Sequence, residues 1–138
     1  MTAKFILINK PSGPSSFKMI SFLRKITGIK KIGHAGTLDP FAQGLLLVAI
    51  GRGATKRIKE FVGLDKEYIA LLKLGVVTNS YDRTGKVLER QSVRASEKDI
   101  EKALKKFVGE QEQIPPMFSA KKVKGQRLYK LARQGIEI

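Results

Sequence analysis

Apolar positions along this chain alternate between two periods, and each switch marks an element. "FILINKPSG" opens with four consecutive apolar residues, Phe5 to Ile8, and leaves through proline and glycine, the pattern of a short buried strand. In "SSFKMISFLRKITG" the apolar spacing becomes helical, through Phe17, Ile20, Leu23 and Ile26 or Phe22. Ser15 or Ser16 can cap that helix and Gly28 ends it. A glycine-rich loop, "KIGHAGTLDPFAQG", occupies residues 31–44. Behind it, "LLLVAIG" sets six apolar residues before a glycine, as in a strand buried on both faces. "GATKRIKEFVG" predicts a basic helix from about Ala54 to Val62, and "KEYIALLKLG" a further strand.

"TNSYDRTG" reads as a turn leading to a strand around Lys86 to Glu89. "SEKDIEKALKKFVG" carries the clearest helical signal: a capping box from Ser96 to Asp99, Ile100, Ala103, Leu104 and Phe107 on one face, and Gly109 at the end. Two prolines make "QIPPMFSAKKVKG" irregular. A last helix is predicted from Gln126 to Gln134, ending at Gly135. The closing "IEI" looks like the start of a strand and so points to a longer parent protein. Strands and helices mix without regular βαβ alternation, so the fold class is α+β.

Composition narrows the function. The chain has 138 residues, 42% of them hydrophobic, enough for one globular domain or part of one. Lys and Arg number 27 against 12 Asp and Glu, a net charge of +15 spread along the chain, and such a field favours a polyanion, nucleic acid above all. No apolar run approaches the roughly twenty residues of a spanning helix and no signal segment is recognisable, so a cytoplasmic protein without a membrane partner is expected. With no cysteine and a single histidine, neither a thiolate nucleophile nor an ordinary transition-metal site is expected. No glycine pattern matches a Walker loop or a dinucleotide fingerprint, so the expected cofactor is none.

Against that charge, one acid stands apart. Asp39 is the only carboxylate before Glu60, and eleven lysines and arginines share the first 59 residues with it. An aspartate before proline is a good helix N-cap or turn residue. Yet a lone carboxylate in a nucleic-acid partner is repelled by phosphate unless chemistry requires it, and Gly33, Gly36 and Gly44 allow a ligand close approach. His34 can be a hydrogen-bonded loop residue or a ring that stacks on a base. Tyr68 reads as a core tyrosine with its hydroxyl at the surface. Lys121, Lys122, Lys124, Arg127, Lys130 and Arg133 lie within thirteen positions without an acid, either a solvated helix face or a surface that tracks phosphates.

Together these stretches resemble the TruB-type tRNA pseudouridine synthases, which isomerise the T-loop uridine at tRNA position 55. "NKPSGPSS" is similar to the family's first motif and "KIGHAGTLDPFAQGLLLVAIGRGATK" to its catalytic motif. "KEYIALLKLG" is similar to the strand bearing its base-stacking tyrosine, and "PPMFSAKKVKGQRLYKLARQG" to its RNA-contacting insertion. The resemblance implies a pseudouridine synthase α+β core on a mixed, mostly antiparallel sheet. It implies that residues 1–138 form the N-terminal part of the catalytic domain, with the insertion at about 111–135. Asp39 matches the catalytic aspartate, His34 the histidine that enters the space of the flipped nucleotide, and Tyr68 the ring that stacks on the uracil. Lys10 matches a motif lysine, and the resemblance counts it with Gly36, Thr37 and the six cations of residues 121–133 among the positions that bind substrate or RNA. The partner implied is the tRNA T-stem-loop, with no metal and no cofactor.

The chain departs from the family at "TNSYD", which has Asn79 and Ser80 where an acid commonly follows the threonine. The family also continues past "ARQGIEI" with core strands, one bearing an arginine that pairs with the catalytic aspartate, and with a C-terminal RNA-binding portion. A monomer is expected, completed by that portion as the same or a second chain. Two other readings stand beside this one: a guide-RNA-dependent relative acting on ribosomal RNA, and a non-catalytic RNA-binding or tRNA-folding module.

Overall fold

The computed structural model describes residues 4–119 and 121–136. Its elements are helices and small antiparallel sheets, an α+β architecture, and the chain divides into two compact units, Met1–Ile69 and Ala70–Ile138. None of the helices is long and apolar enough to cross a membrane among the described residues.

The first unit is built on a three-stranded sheet of β1 (Lys4–Lys10), β2 (Ile32–Ala35) and β3 (Gly44–Ile50), in the order β1-β3-β2 with both pairings antiparallel. Its apolar run makes β3 the central strand, and Leu46, Val48 and Ala49 are buried. Burial on both faces holds only for its second half, because Leu45 is 68% exposed. One sheet face packs against α1 (Ser16–Thr27), where Ile20 and Leu23 join Ile32, Leu46 and Val48 in the core. Ser15 caps α1 by accepting from the Lys18 N–H, and Gly28 closes it with φ +69°. On the other face, where Ala49 is buried, α2 (Arg52–Lys56) packs against β3 and β2 and α3 (Lys59–Val62) against β2, and the Phe61 ring meets that of Phe5 at a 50° tilt with centres 4.6 Å apart.

In the second unit, β4 (Val76–Thr78) and β5 (Val87–Arg90) form a hairpin, followed by α4 (Glu97–Lys105) with both halves of the predicted capping box in place. The turn "TNSYDRTG" is held by its own polar groups. The Asp82 carboxylate accepts from the Ser80 and Thr84 hydroxyls and the Thr84 N–H, and the Asn79 side chain accepts from the Lys86 N–H. Beyond it, β6 (Lys122–Val123), β7 (Gln126–Arg127) and α5 (Leu128–Arg133) pack through Leu128 and Leu131.

Several expectations need correction. The strand expected in "KEYIALLKLG" does not form: residues 65–73 have no regular structure, and Ile69 and Leu71 are fully exposed. A strand needs a hydrogen-bonded neighbour, and among the described residues this segment has none. The single helix expected from Ala54 to Val62 breaks into α2 and α3 at Arg57 and Ile58. The loop expected at 31–44 gives its first part to β2, because Ile32 is buried opposite Ile50. The helix expected to end at Gly109 stops at Lys105, and Leu104 and Phe107 of its apolar face are exposed. The last helix begins at Leu128 instead of Gln126, because Gln126 and Arg127 pair with Lys122 and Val123 inside the stretch expected to be irregular. Of the strand start expected at "IEI", residues 137 and 138 lie outside the described residues.

Candidate functional site

Residues 36–43 link β2 to β3, and the link is bracketed by Gly36 at φ +98° and Gly44 at φ +126°, values that strain any residue with a side chain. Between them the backbone is held almost residue by residue. The Ser16 hydroxyl accepts from the Leu38 N–H and donates to the Leu38 carbonyl, both at 3.0 Å. The Pro40 carbonyl accepts from the Gly13 N–H at 2.7 Å and from the Lys10 ammonium at 3.2 Å. Ser12 donates to the Phe41 carbonyl at 2.9 Å, and the Asp39 carbonyl closes a turn with the Ala42 N–H at 3.1 Å. Lys10, Ser12, Gly13 and Ser16 all come from the end of β1 and the start of α1, so "KPSGPSS" acts as a bracket around the second motif.

The strand period explains why a lysine serves there. Lys10 lies two and four residues beyond Ile8 and Ile6, on the face that packs against α1, and has no exposed surface. A buried ammonium is costly unless its donors are used. Here all three are, on the carbonyls of Pro11 at 2.9 Å, Pro14 at 2.8 Å and Pro40 at 3.2 Å. Each acceptor belongs to a proline, whose ring fixes φ and so leaves ψ as the only free torsion that aims its carbonyl.

Asp39 sits at the tip of this frame. Its backbone is restrained and its side chain is exposed, and among the described residues the carboxylate makes no hydrogen bond or ion pair. A turn follows at Pro40 and Phe41, not a helix, so the carboxylate is not spent on an N-cap. His34, half-buried on β2 opposite Val48, donates from Nδ1 to the Gly36 carbonyl, which orients the ring at the entry to the loop. Thr37 is exposed beside it.

One end of the three-stranded sheet thus brings together Lys10, His34, Gly36, Thr37 and Asp39. Tyr68, 69% exposed on the irregular segment, has no hydrogen bond or ring contact to that loop among the described residues. Lys121, Lys122, Lys124, Arg127 and Lys130 are exposed on the β6–β7 hairpin and α5 of the second unit, and Arg133 is the last residue of α5. Ser12, Gly13 and Ser16 were not singled out by sequence as site residues. Ser16 reads there as a helix cap, and only the density of small hydroxylated residues in "PSGPSS" hints at a bracing role.

Residues 24–138 match the model of the TruB family pseudouridylate synthase (N terminal domain), and the chain belongs to that family. A tRNA pseudouridine synthase B of Protochlamydia amoebophila is 53% identical over 133 residues, covering 96% of this chain and 51% of the relative. That of Desulfotalea psychrophila is 51% identical over 138 residues, covering 99% and 56%. The chain therefore spans about half the length of the curated relatives it matches. A solved H/ACA ribonucleoprotein bound to a substrate RNA containing 2′-deoxyuridine is 41% identical over 39% of this chain and 17% of its own, with a TM-score of 0.36.

Proposed function

We propose that this chain provides the catalytic-loop part of a tRNA pseudouridine synthase that converts uridine to pseudouridine in the T-loop, at tRNA position 55. The observation that carries the reading is the contrast at Asp39: a braced backbone with an exposed, uncommitted carboxylate. A group that must meet a substrate atom gains from such preorganisation. The name shared by the relatives, tRNA pseudouridine synthase B, supports tRNA as the RNA.

In this reading the C1′–N1 bond of uridine breaks, the uracil turns, C1′ joins C5, the C5 hydrogen leaves as a proton, and N1 takes up a proton. Atoms and electrons balance without an oxidant or reductant. The target nucleotide is flipped from its stack so that the Asp39 carboxylate lies beside C1′ and the base, as nucleophile or as base. His34 occupies the space the nucleotide leaves, Tyr68 stacks on the uracil, and Gly36 and Thr37 line its approach. Lys121, Lys122, Lys124, Arg127, Lys130 and Arg133 track the phosphates of the stem. Lys10 works from beneath as a positioning residue, within a pseudouridine synthase core whose sheet is mostly antiparallel.

The test uses full-length protein and a bare tRNA T-stem-loop carrying C5-tritiated uridine, with no guide RNA added. Tritium release at the T-loop uridine is the expected outcome. No release, or release only after a guide RNA is supplied, contradicts the proposal.

A further inference from the structure

At the other end of the same sheet, an open cleft of about 460 Å³ lies between α1, β2 and α2. Arg24, Lys31, Arg52 and Lys56 line it together with Thr55, and neither an acid nor an aromatic ring does. Four like charges around one hollow repel each other unless a countercharge is supplied. None lines the cleft: Glu60 is committed to Arg57 through hydrogen bonds of 2.8 to 3.2 Å, Asp39 belongs to the opposite end of the sheet, and Asp65 and Glu67 stand exposed on the irregular segment 65–73. Arg24 is the most constrained of the four. Its guanidinium donates from Nη2 to the Ile32 carbonyl at 3.2 Å and lies 5.8 Å from the centre of the Phe17 ring, while its Nε is buried with no partner among the described residues. A cation held in a partly desolvated place without a carboxylate is incomplete, and a phosphate completes it, since guanidinium and phosphate match in charge and geometry.

We infer that this cleft is a second phosphate-binding site, which takes the sugar–phosphate backbone of the same RNA away from the nucleotide being modified. An open hollow lined by cations and lacking base-reading groups suits a backbone that passes through, not a small anion that must be enclosed. The strand register sets its distance from the reaction. Lys31 and Arg52 flank the Ile32–Ile50 pair, whereas the Asp39 loop leaves β2 at Ala35, opposite Leu47, and enters β3 at Gly44, opposite Lys10; β3 spans about 20 Å from Ile50 to Gly44. That length corresponds to several nucleotides, so the cleft holds a flanking part of the RNA and contributes affinity, not chemistry.

The inference rests on the reading of the protein as a tRNA-modifying enzyme, and its test separates the two. In full-length protein, Lys31→Gln, Arg52→Gln and Lys56→Gln are combined, leaving Arg24 in its bonded place. As a charge-matched control, Lys98→Gln, Lys102→Gln and Lys105→Gln are combined on α4. The cleft variant is expected to bind tRNA at least about tenfold more weakly. Its slope of log affinity against log salt should be smaller by about 2 to 3, the value for three lost phosphate contacts. At saturating tRNA its kcat equals that of the wild type. Unchanged affinity and slope, or an equal loss in the control, overturns the site. If wild-type protein binds tRNA but releases no tritium, the enzymatic reading fails while the affinity measurements still judge the cleft.

Discussion

A lysine with no exposed surface shapes the Asp39 loop more than any exposed cation does. Lys10 ties the Pro40 carbonyl to those of Pro11 and Pro14, and Ser16 ties both backbone groups of Leu38, so the residues on either side of Asp39 are fixed from below. Replacing Lys10 by methionine keeps a similar stem but leaves three carbonyls without their donor. The expected loss is about 2–4 kcal/mol in urea unfolding, and Ser16→Ala should cost about half as much. Because neither side chain faces solvent, both variants are expected to lower kcat while the affinity for tRNA stays near that of the wild type. A variant that weakened binding and left kcat intact would instead make Lys10 an RNA contact. The sequence showed the two motifs but not the bond between them. Lys10 looks like any basic residue until the period of β1 places it inward beside Ile6 and Ile8.

Elements with strong local signals were legible. Ser15 and Gly28 at the ends of α1, the Ser96–Asp99 capping box and the apolar run of β3 depend on near neighbours alone, and each appears where the pattern put it. Elements that depend on a distant partner were not. Residues 65–73 have a strand's composition and no strand beside them, whereas β6 and β7 are two residues each, too short to show a period, and pair across Lys124 at φ +48°. The β4–β5 turn shows how polar side chains settle such cases. Burial pushes the Asp82 carboxyl up, but the hydroxyls of Thr84 and Ser80 and the N–H groups of Thr84 and Gly85 outweigh it, and the group lies below the usual carboxylate range. A carboxyl held lower in the folded state stabilises above its unfolded value, and that contribution disappears as pH falls through the folded value. Amide-exchange protection of Asn79 and Lys86 should therefore hold at neutral pH and fade in acid. In Asp82→Asn it should be weaker at neutral pH and nearly independent of pH. Protection in the wild type that persisted to low pH would contradict this.

For the whole molecule, charge and site answer different questions. In the proposed function a net charge of +15 would supply the attraction to RNA and make it sensitive to salt, but it says nothing about what happens once RNA is bound. That second question falls on one carboxylate of the first unit, exposed and uncommitted on a loop braced from beneath. The measurement that addresses it most directly compares wild-type and Asp39→Asn full-length protein on C5-tritiated tRNA, with affinity and tritium release read in the same preparation. The substitution preserves size and removes the charge. The expected result is tRNA affinity equal to or slightly above that of the wild type, with release slowed roughly a thousandfold or more. Release at the wild-type rate from the Asp39→Asn protein would contradict the catalytic assignment.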